Sequence, residues 1–280
     1  MKILVTGSNG YLGKGIVKDL LKTSHEVHIA DINNSIELEG KVYNCDIFAV
    51  EDPYYYFGQP DILLHLAWRN GFVHNDSSHL EDLAKHIKFL DHFIAHGKTK
   101  ISVMGTMHEI GFFEGKITEH TPCFPLSNYG IAKNCLRDYL IKENQSSDFS
   151  LQWLRAFYIV DNNVQGNSIF SKIAKQAKDN KVEFPFNTGK NLYDFIDYDQ
   201  FCKDVVEVVT QDLVNGIINI CSGEPLRLSE RVEAFIDENN YNIKLKYGEY
   251  PDRIYDSRAI WGDKTKLTKI KNLRDSSNVN

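Results

Sequence analysis

Apolar residues along this chain alternate between two rhythms. Short runs at Lys2–Thr6, Glu26–Ala30 and Asp61–Ala67 are nearly continuous in Ile, Leu, Val and Ala, the pattern of strands covered on both faces. Between them, Gly13–Thr23 spaces Ile16, Val17 and Leu20 three and four apart, the pattern of an amphipathic helix. The same reading predicts strands at Lys41–Asn44, Lys100–Met104 and Leu151–Phe157. It predicts helices at His79–His96 and Tyr129–Asn144. Strands and helices in alternation predict an α/β fold, a doubly wound parallel sheet with helices on both faces.

After about Val160 the rhythm loosens. Ser168–Asp179 reads as a helix, Gly216–Cys221 as a strand, and Ser229–Asn239 as a helix capped by Ser229. The chain thus divides into a regular part, residues 1–160, and a smaller C-terminal region, 161–280, interleaved with the last strands of the sheet. The polar end from Arg274 to Asn280 is expected to fray.

Composition narrows the class. With 42% hydrophobic and 25% charged residues, 280 residues can bury a sizeable core. A net charge of −6 argues against a nucleic-acid surface. The apolar runs are far too short to span a bilayer. Met1 leads straight into the first strand, so no signal peptide is expected and the location is expected to be cytoplasmic. Five scattered cysteines then read as reduced thiols, and ten histidines without ligand spacing predict no metal site.

Two motifs carry chemistry. Gly7, Gly10 and Gly13 stand at the first strand-to-helix turn, in Thr6-Gly7-Ser8-Asn9-Gly10-Tyr11-Leu12-Gly13. There a side chain would block a pyrophosphate, and the helix start around Asn9, Gly10, Tyr11 and Leu12 offers free N–H groups to it. Asp31 ends the second strand, where a carboxylate can hold both adenosine ribose hydroxyls and repel a 2′-phosphate. That favours NAD over NADP; Lys14 can offset the repulsion, which keeps NADP open. Asp46 and Ile47 are placed to clamp adenine, and the backbone of Leu66 and Ala67 to face the cofactor.

The second motif is Tyr129 and Lys133, four apart on one helix face. A neighbouring ammonium is expected to lower the phenol pKa from ~10 toward working pH, which makes an acid/base pair. Either motif alone is weak. Their order and separation make the combination specific.

Together they resemble the extended short-chain dehydrogenase/reductase family, especially its nucleotide-sugar epimerases, dehydratases and 4-ketoreductases. The resemblance spans nearly the whole chain. It rests on the glycine turn, Asp31, Asp46-Ile47, His65-Leu66-Ala67, Thr106, Tyr129/Lys133, Arg155 and Tyr193-Asp194-Phe195-Ile196-Asp197. It implies a Rossmann-type fold, a nicotinamide cofactor and a nucleoside-diphosphate sugar whose C4 faces the nicotinamide, bound by the C-terminal region. By the same resemblance Tyr129 exchanges a proton with the C4 oxygen. Thr106 bonds that oxygen, and Lys133 lowers the Tyr129 pKa and holds the nicotinamide ribose. Asn167 and Arg253 match family substrate contacts. A homodimer through the helices at His79–His96 and Tyr129–Asn144 is also implied.

The segment Gly105-Thr106-Met107-His108-Glu109-Ile110-Gly111 separates the reactions. The family's 4,6-dehydratases place Asp and Glu where this chain has Met107 and His108, and a thioether cannot act as an acid. The pattern resembles the 4-ketoreductases instead. It implies reduction of an NDP-4-keto-6-deoxysugar with NAD(P)H for polysaccharide or deoxysugar synthesis, with His108 beside the sugar. A 4-epimerase with tightly bound NAD is the alternative. A dinucleotide-binding module without turnover is a second, but it would need no Thr106/Tyr129/Lys133 set. Where the epimerases carry a diphosphate-binding Arg, this chain has Tyr193. Arg69, at the rim after the fourth strand, is a further phosphate candidate.

Overall fold

The computed structural model describes residues 1–35, 41–164, 166, 168–252 and 256–277. Two expected substrate contacts, Asn167 and Arg253, lie outside the described residues. The first half runs β1 (Lys2–Thr6), α1 (Tyr11–Leu20), β2 (Glu26–Asp31), β3 (Val42–Asn44), α2 (Pro53–Tyr56), β4 (Ile62–His65), α3 (Ser78–Glu81), α4 (Leu83–His96), β5 (Lys100–Thr106), β6 (Gly115–Ile117), α5 (Asn128–Ser146), β7 (Leu151–Ala156) and β8 (Tyr158–Val160). The second runs α6 (Ile169–Lys178), β9 (Glu183–Pro185), β10 (Leu192–Asp197), α7 (Tyr198–Val209), β11 (Gly216–Ile220), β12 (Pro225–Arg227), α8 (Leu228–Glu238), β13 (Lys244–Lys246), β14 (Ala259–Gly262) and α9 (Thr265–Ser277).

The main sheet has the order β11-β7-β5-β4-β1-β2-β3 and every pairing in it is parallel. Alternate strand residues feed two separate cores. Ile3, Val5, Ile62 and Leu64 pack with Ile16 and Val17 of α1, Phe201 and Val205 of α7, and Leu267 of α9. Leu4, Leu63, Ile101 and Val103 pack on the other face with Phe89 and Phe93 of α4 and Leu136 and Leu140 of α5. This is the doubly wound α/β fold the pattern predicts. Strand order reverses between β1 and β4, so the C-terminal ends of these strands border a crevice where ligands bind in such sheets. Thr6, His65 and Thr106 all end strands there.

A second sheet, β12-β10-β14-β6 with β8 on β10, lies beyond. Asp194, fully buried, ties it together. Its carboxylate accepts from Ser222 N (2.8 Å), Gly223 N (2.9 Å) and Gly262 N (3.0 Å). Tyr193, at the place of the epimerase arginine, is buried among Ile110, Phe157 and Ile260.

Three local expectations are corrected. The helix expected over His79–His96 is interrupted at Asp82, whose carboxylate is taken by Arg69 (2.9 Å) and Lys85 (2.8 Å). Arg69, the rim candidate for phosphate, is thus paired with that acid. Ser229 does not cap α8. Arg227 holds the cap position, and the first helical N–H groups donate instead to Asn191 O (2.9 Å) and Gly189 O (3.0 Å). The polar chain end stays helical through Ser277, with Arg274 paired to Glu207 at 2.6 Å. No helix among the described residues is long and apolar enough to cross a membrane.

Candidate active site

The glycine turn is built by close approach. Gly7 has φ +70°, and a Cβ there would sit 2.5 Å from Ala67 N, so only glycine lets β1 and the segment after β4 meet. A Cβ on Gly13 would lie 2.2 Å from Gly7 O, whereas one on Gly10 would meet nothing nearer than 3.1 Å. Gly10 is the N-cap of α1 and supplies no side-chain cap, so the first-turn N–H groups of Tyr11 and Leu12 have no intrahelical partner. This cradle fits a dinucleotide pyrophosphate.

The other expected cofactor residues gather around it. Asp31 Oδ2 accepts from Asn9 N at 2.9 Å, which joins the turn to the end of β2. Leu66 N donates to Thr6 O at 3.1 Å, and Ala67 follows at the β1 edge. Asp46 is exposed and caps a short 3-10 turn through Phe48 N (3.0 Å), while the Ile47 side chain is buried in the core. The Tyr11 ring packs between Phe72 and Tyr198, at 5.7 and 5.0 Å.

Helix α5 brings the chemistry to the strand ends. Ser127 caps it, its hydroxyl accepting from Gly130 N at 3.2 Å. Tyr129, Lys133 and Arg137 follow at intervals of four on one face. Lys133 Nζ donates to Met104 O at 2.7 Å and lies 3.7 Å from the Trp68 ring centroid. Its pKa is lowered to about 7, burial outweighing the opposing pull of Glu109. Tyr129 is pushed up to about 12 by burial; hydrogen bonding with the Thr106 side chain opposes this and Glu109 adds to it. The expected fall of the Tyr129 pKa under Lys133 is therefore not found. The Lys133 Nζ is turned to the Met104 carbonyl, and burial lowers its own pKa as well, which weakens its pull on the phenol.

Thr106, at the end of β5, is held in a reciprocal cap. Its hydroxyl accepts from His108 N at 3.2 Å, and its own N–H donates to Glu109 at 3.3 Å. Glu109 is fully buried and also accepts from Trp153 Nε1 (2.9 Å), Arg155 Nε (3.1 Å) and Arg137 Nη1 (2.8 Å). Glu109 and Arg155 are thus the floor beneath Thr106. His108 is half-buried, its ring 6.3 Å from that of Tyr129.

Three residues around Tyr129 carry no motif. His79, His74 and Trp68 have ring centroids 5.2, 5.3 and 6.2 Å from it. Their only signal in the sequence is that Trp68 and the loop after it follow a strand end at the ligand rim.

A profile described as the NAD dependent epimerase/dehydratase family matches residues 3–221. The chain belongs to this family. A dTDP-6-deoxy-L-talose 4-dehydrogenase (NAD(+)) from Aggregatibacter actinomycetemcomitans is 41% identical over 272 residues, 94% of this chain and 100% of that one. Among solved structures, a UDP-glucuronic acid 4-epimerase mutant from Bacillus cereus superimposes with a TM-score of 0.80 at 19% identity, over 96% of this chain and 92% of that one. A UDP-glucose 4-epimerase from Thermus thermophilus does so at 0.77 and 20% identity, over 96% and 92%. These two likenesses concern the fold.

Proposed function

We propose that this chain is an NAD-dependent nucleotide-sugar oxidoreductase that reduces the C4 keto group of an NDP-4-keto-6-deoxysugar. The observation that carries the reading is Tyr129, set beside Thr106 at the strand ends next to a dinucleotide cradle. The 41% identity to a nucleotide-sugar 4-dehydrogenase supports the same sugar position. Bound NADH supplies the hydride to C4. Tyr129, kept protonated by burial, gives its proton to the O4 that gains charge, and the Thr106 hydroxyl hydrogen-bonds that oxygen. Asp31 holds the adenosine ribose, Asp46 and the backbone of Ile47 flank adenine, and Lys133 faces the nicotinamide ribose.

Dehydration is disfavoured by the same site. Met107 and His108 stand where the family's 4,6-dehydratases place Asp and Glu, Met107 is buried, and the adjacent Glu109 is committed to two arginines and an indole, which leaves no free carboxyl in this segment. Residues 1–160 serve as the cofactor part and 161–280 as the substrate part, with Asn167, Arg253 and His108 as sugar or phosphate contacts. The protein acts in the cytoplasm, as a homodimer through α4 and α5.

The test is NADH consumption with a thymidine-diphosphate 4-keto-6-deoxyhexose. Tyr129→Phe should lower kcat by about 10²-fold or more while NADH affinity holds. Undiminished turnover in that variant would sink the mechanism. Interconversion of 4-epimers by protein that retains NAD through purification, with none added, would replace reductase by epimerase.

A further inference from the structure

The loop between β4 and α3 brings a second imidazole to the site. His74 stacks on Tyr129, with ring centroids 5.3 Å apart and planes 15° from parallel, and lies 4.3 Å from His108. It is fixed there. His74 O accepts from Tyr129 N at 2.8 Å, Asn75 O from Asn128 Nδ2 at 3.1 Å, and Val73 O from His79 Nε2 at 3.0 Å.

The neighbouring histidines differ from this pair. His79 bonds Trp68 and Val73 O, and His65 and His86 bond each other. Among the described residues, neither the His74 nor the His108 imidazole makes a side-chain hydrogen bond. Their ring nitrogens therefore keep both a donor and an acceptor free at the rim of the site, beside Tyr129.

We infer that His74 and His108 form a wall of two imidazoles that hydrogen-bonds hydroxyls of the sugar ring, making His74 a specificity-determining residue for uncharged hexoses. This rests on the reading that the site takes a nucleotide sugar. A neutral imidazole offers one donor and one acceptor, the complement of a hydroxyl. Both rings are held neutral. Burial lowers His74, with His79 adding to it, and burial then His74 bring His108 to about 4. Such a wall has no charge to offer a hexuronate. Lys133, on the same helix face as Tyr129, is turned to Met104 O and the Trp68 ring, on the cofactor side and away from this wall.

The probes are a thymidine-diphosphate 6-deoxyhexose and the matching hexuronate, titrated calorimetrically into NAD-loaded protein. Wild type should bind the deoxyhexose at least tenfold more tightly than the uronate. His74→Ala should weaken deoxyhexose binding at least tenfold, raise KM with kcat within about threefold, and leave NADH affinity and the melting temperature unchanged. His74→Gln, which keeps a donor and an acceptor, should recover most of the loss. Unchanged deoxyhexose binding in His74→Ala, a Gln variant no better than Ala, or equal binding of the uronate by wild type overturns the inference. A wild type that binds the deoxyhexose through His74 yet consumes no NADH with its 4-keto form overturns the proposed reaction and leaves the wall standing.

Discussion

The Nζ of Lys133 lies 3.7 Å from the centroid of the Trp68 ring. Lys133 is only 2% exposed, so its ammonium is stripped of water and rests on one carbonyl and one π face. Trp68 is fixed in turn by donating to His79 Nδ1 at 3.0 Å and by stacking on His86 at 4.3 Å. Truncating the indole removes the surface that locates the ammonium. Trp68→Ala is expected to cost about 2–4 kcal/mol of stability and to lower kcat about tenfold. Trp68→Phe keeps a π face and should lose less than threefold. Urea melts and turnover at saturating substrate measure both. Equal kcat in the two variants would show that the π face does not position Lys133.

Glu109 makes a different demand. It is a fully buried carboxylate shared by Arg137, Arg155, Trp153 and the Thr106 N–H. Removing one partner from such a cluster leaves uncompensated charge, at a cost of about 3–5 kcal/mol. Glu109→Gln should therefore lower the urea midpoint strongly and, by loosening the cap on Thr106, reduce kcat as well. Tolerance of this change would show that Glu109 contributes little to the floor of the site.

What the sequence revealed divides along physical lines. The glycine turn, Asp31 and the Tyr129/Lys133 spacing were legible because each is a short local pattern whose geometry follows from one strand end or one helix face. The parallel strands were legible from their unbroken apolar runs. Helix α7 places Phe201, Val205 and Val209 on a face against α1, yet its neighbours Asp199, Lys203 and Asp204 broke the apolar signal. The Ser229 cap failed because the loop carbonyls at Gly189 and Asn191 served the helix start, a contact from outside the local sequence. His74, His79 and Trp68 converge on Tyr129 only through the path of one irregular loop, which periodicity does not encode.

The glycine turn yields a paired prediction. Gly13→Ala drives a methyl to 2.2 Å from Gly7 O and 2.6 Å from Ser8 O, so the turn must open and stability falls. Gly10→Ala meets only Gly7 O at 3.1 Å. It should fold, with a melting temperature close to wild type, while its methyl obstructs the pyrophosphate and weakens NADH binding tenfold or more. Calorimetric melts and NADH titration separate the two. Full NADH affinity in Gly10→Ala would place the pyrophosphate elsewhere.

Acid sensitivity should originate in the histidines beneath the site. His65 bonds Thr6 Oγ1 at 2.8 Å and His86 Nδ1 at 2.9 Å, both rings buried. Burial lowers each pKa. His86 and Lys133 add to the effect on His65, and Lys133 and Lys85 bring His86 to about 3. Unfolded histidines titrate near ~6.5, so below that pH the unfolded chain binds protons that the native chain refuses. The native state then loses stability as pH falls from about 6.5 toward 3, by up to about 1.4 kcal/mol per pH unit for each such histidine, and loses none of it above 6.5. His86→Phe keeps a ring against Trp68 but removes one of these groups. It should cost about 1–3 kcal/mol at pH 7.5, because His65 Nε2 loses its partner. Between pH 6.5 and 5 its stability should fall less steeply than that of wild type, by about one proton's share. Urea denaturation at stepped pH reads both slopes, and parallel slopes would assign the acid sensitivity to other groups.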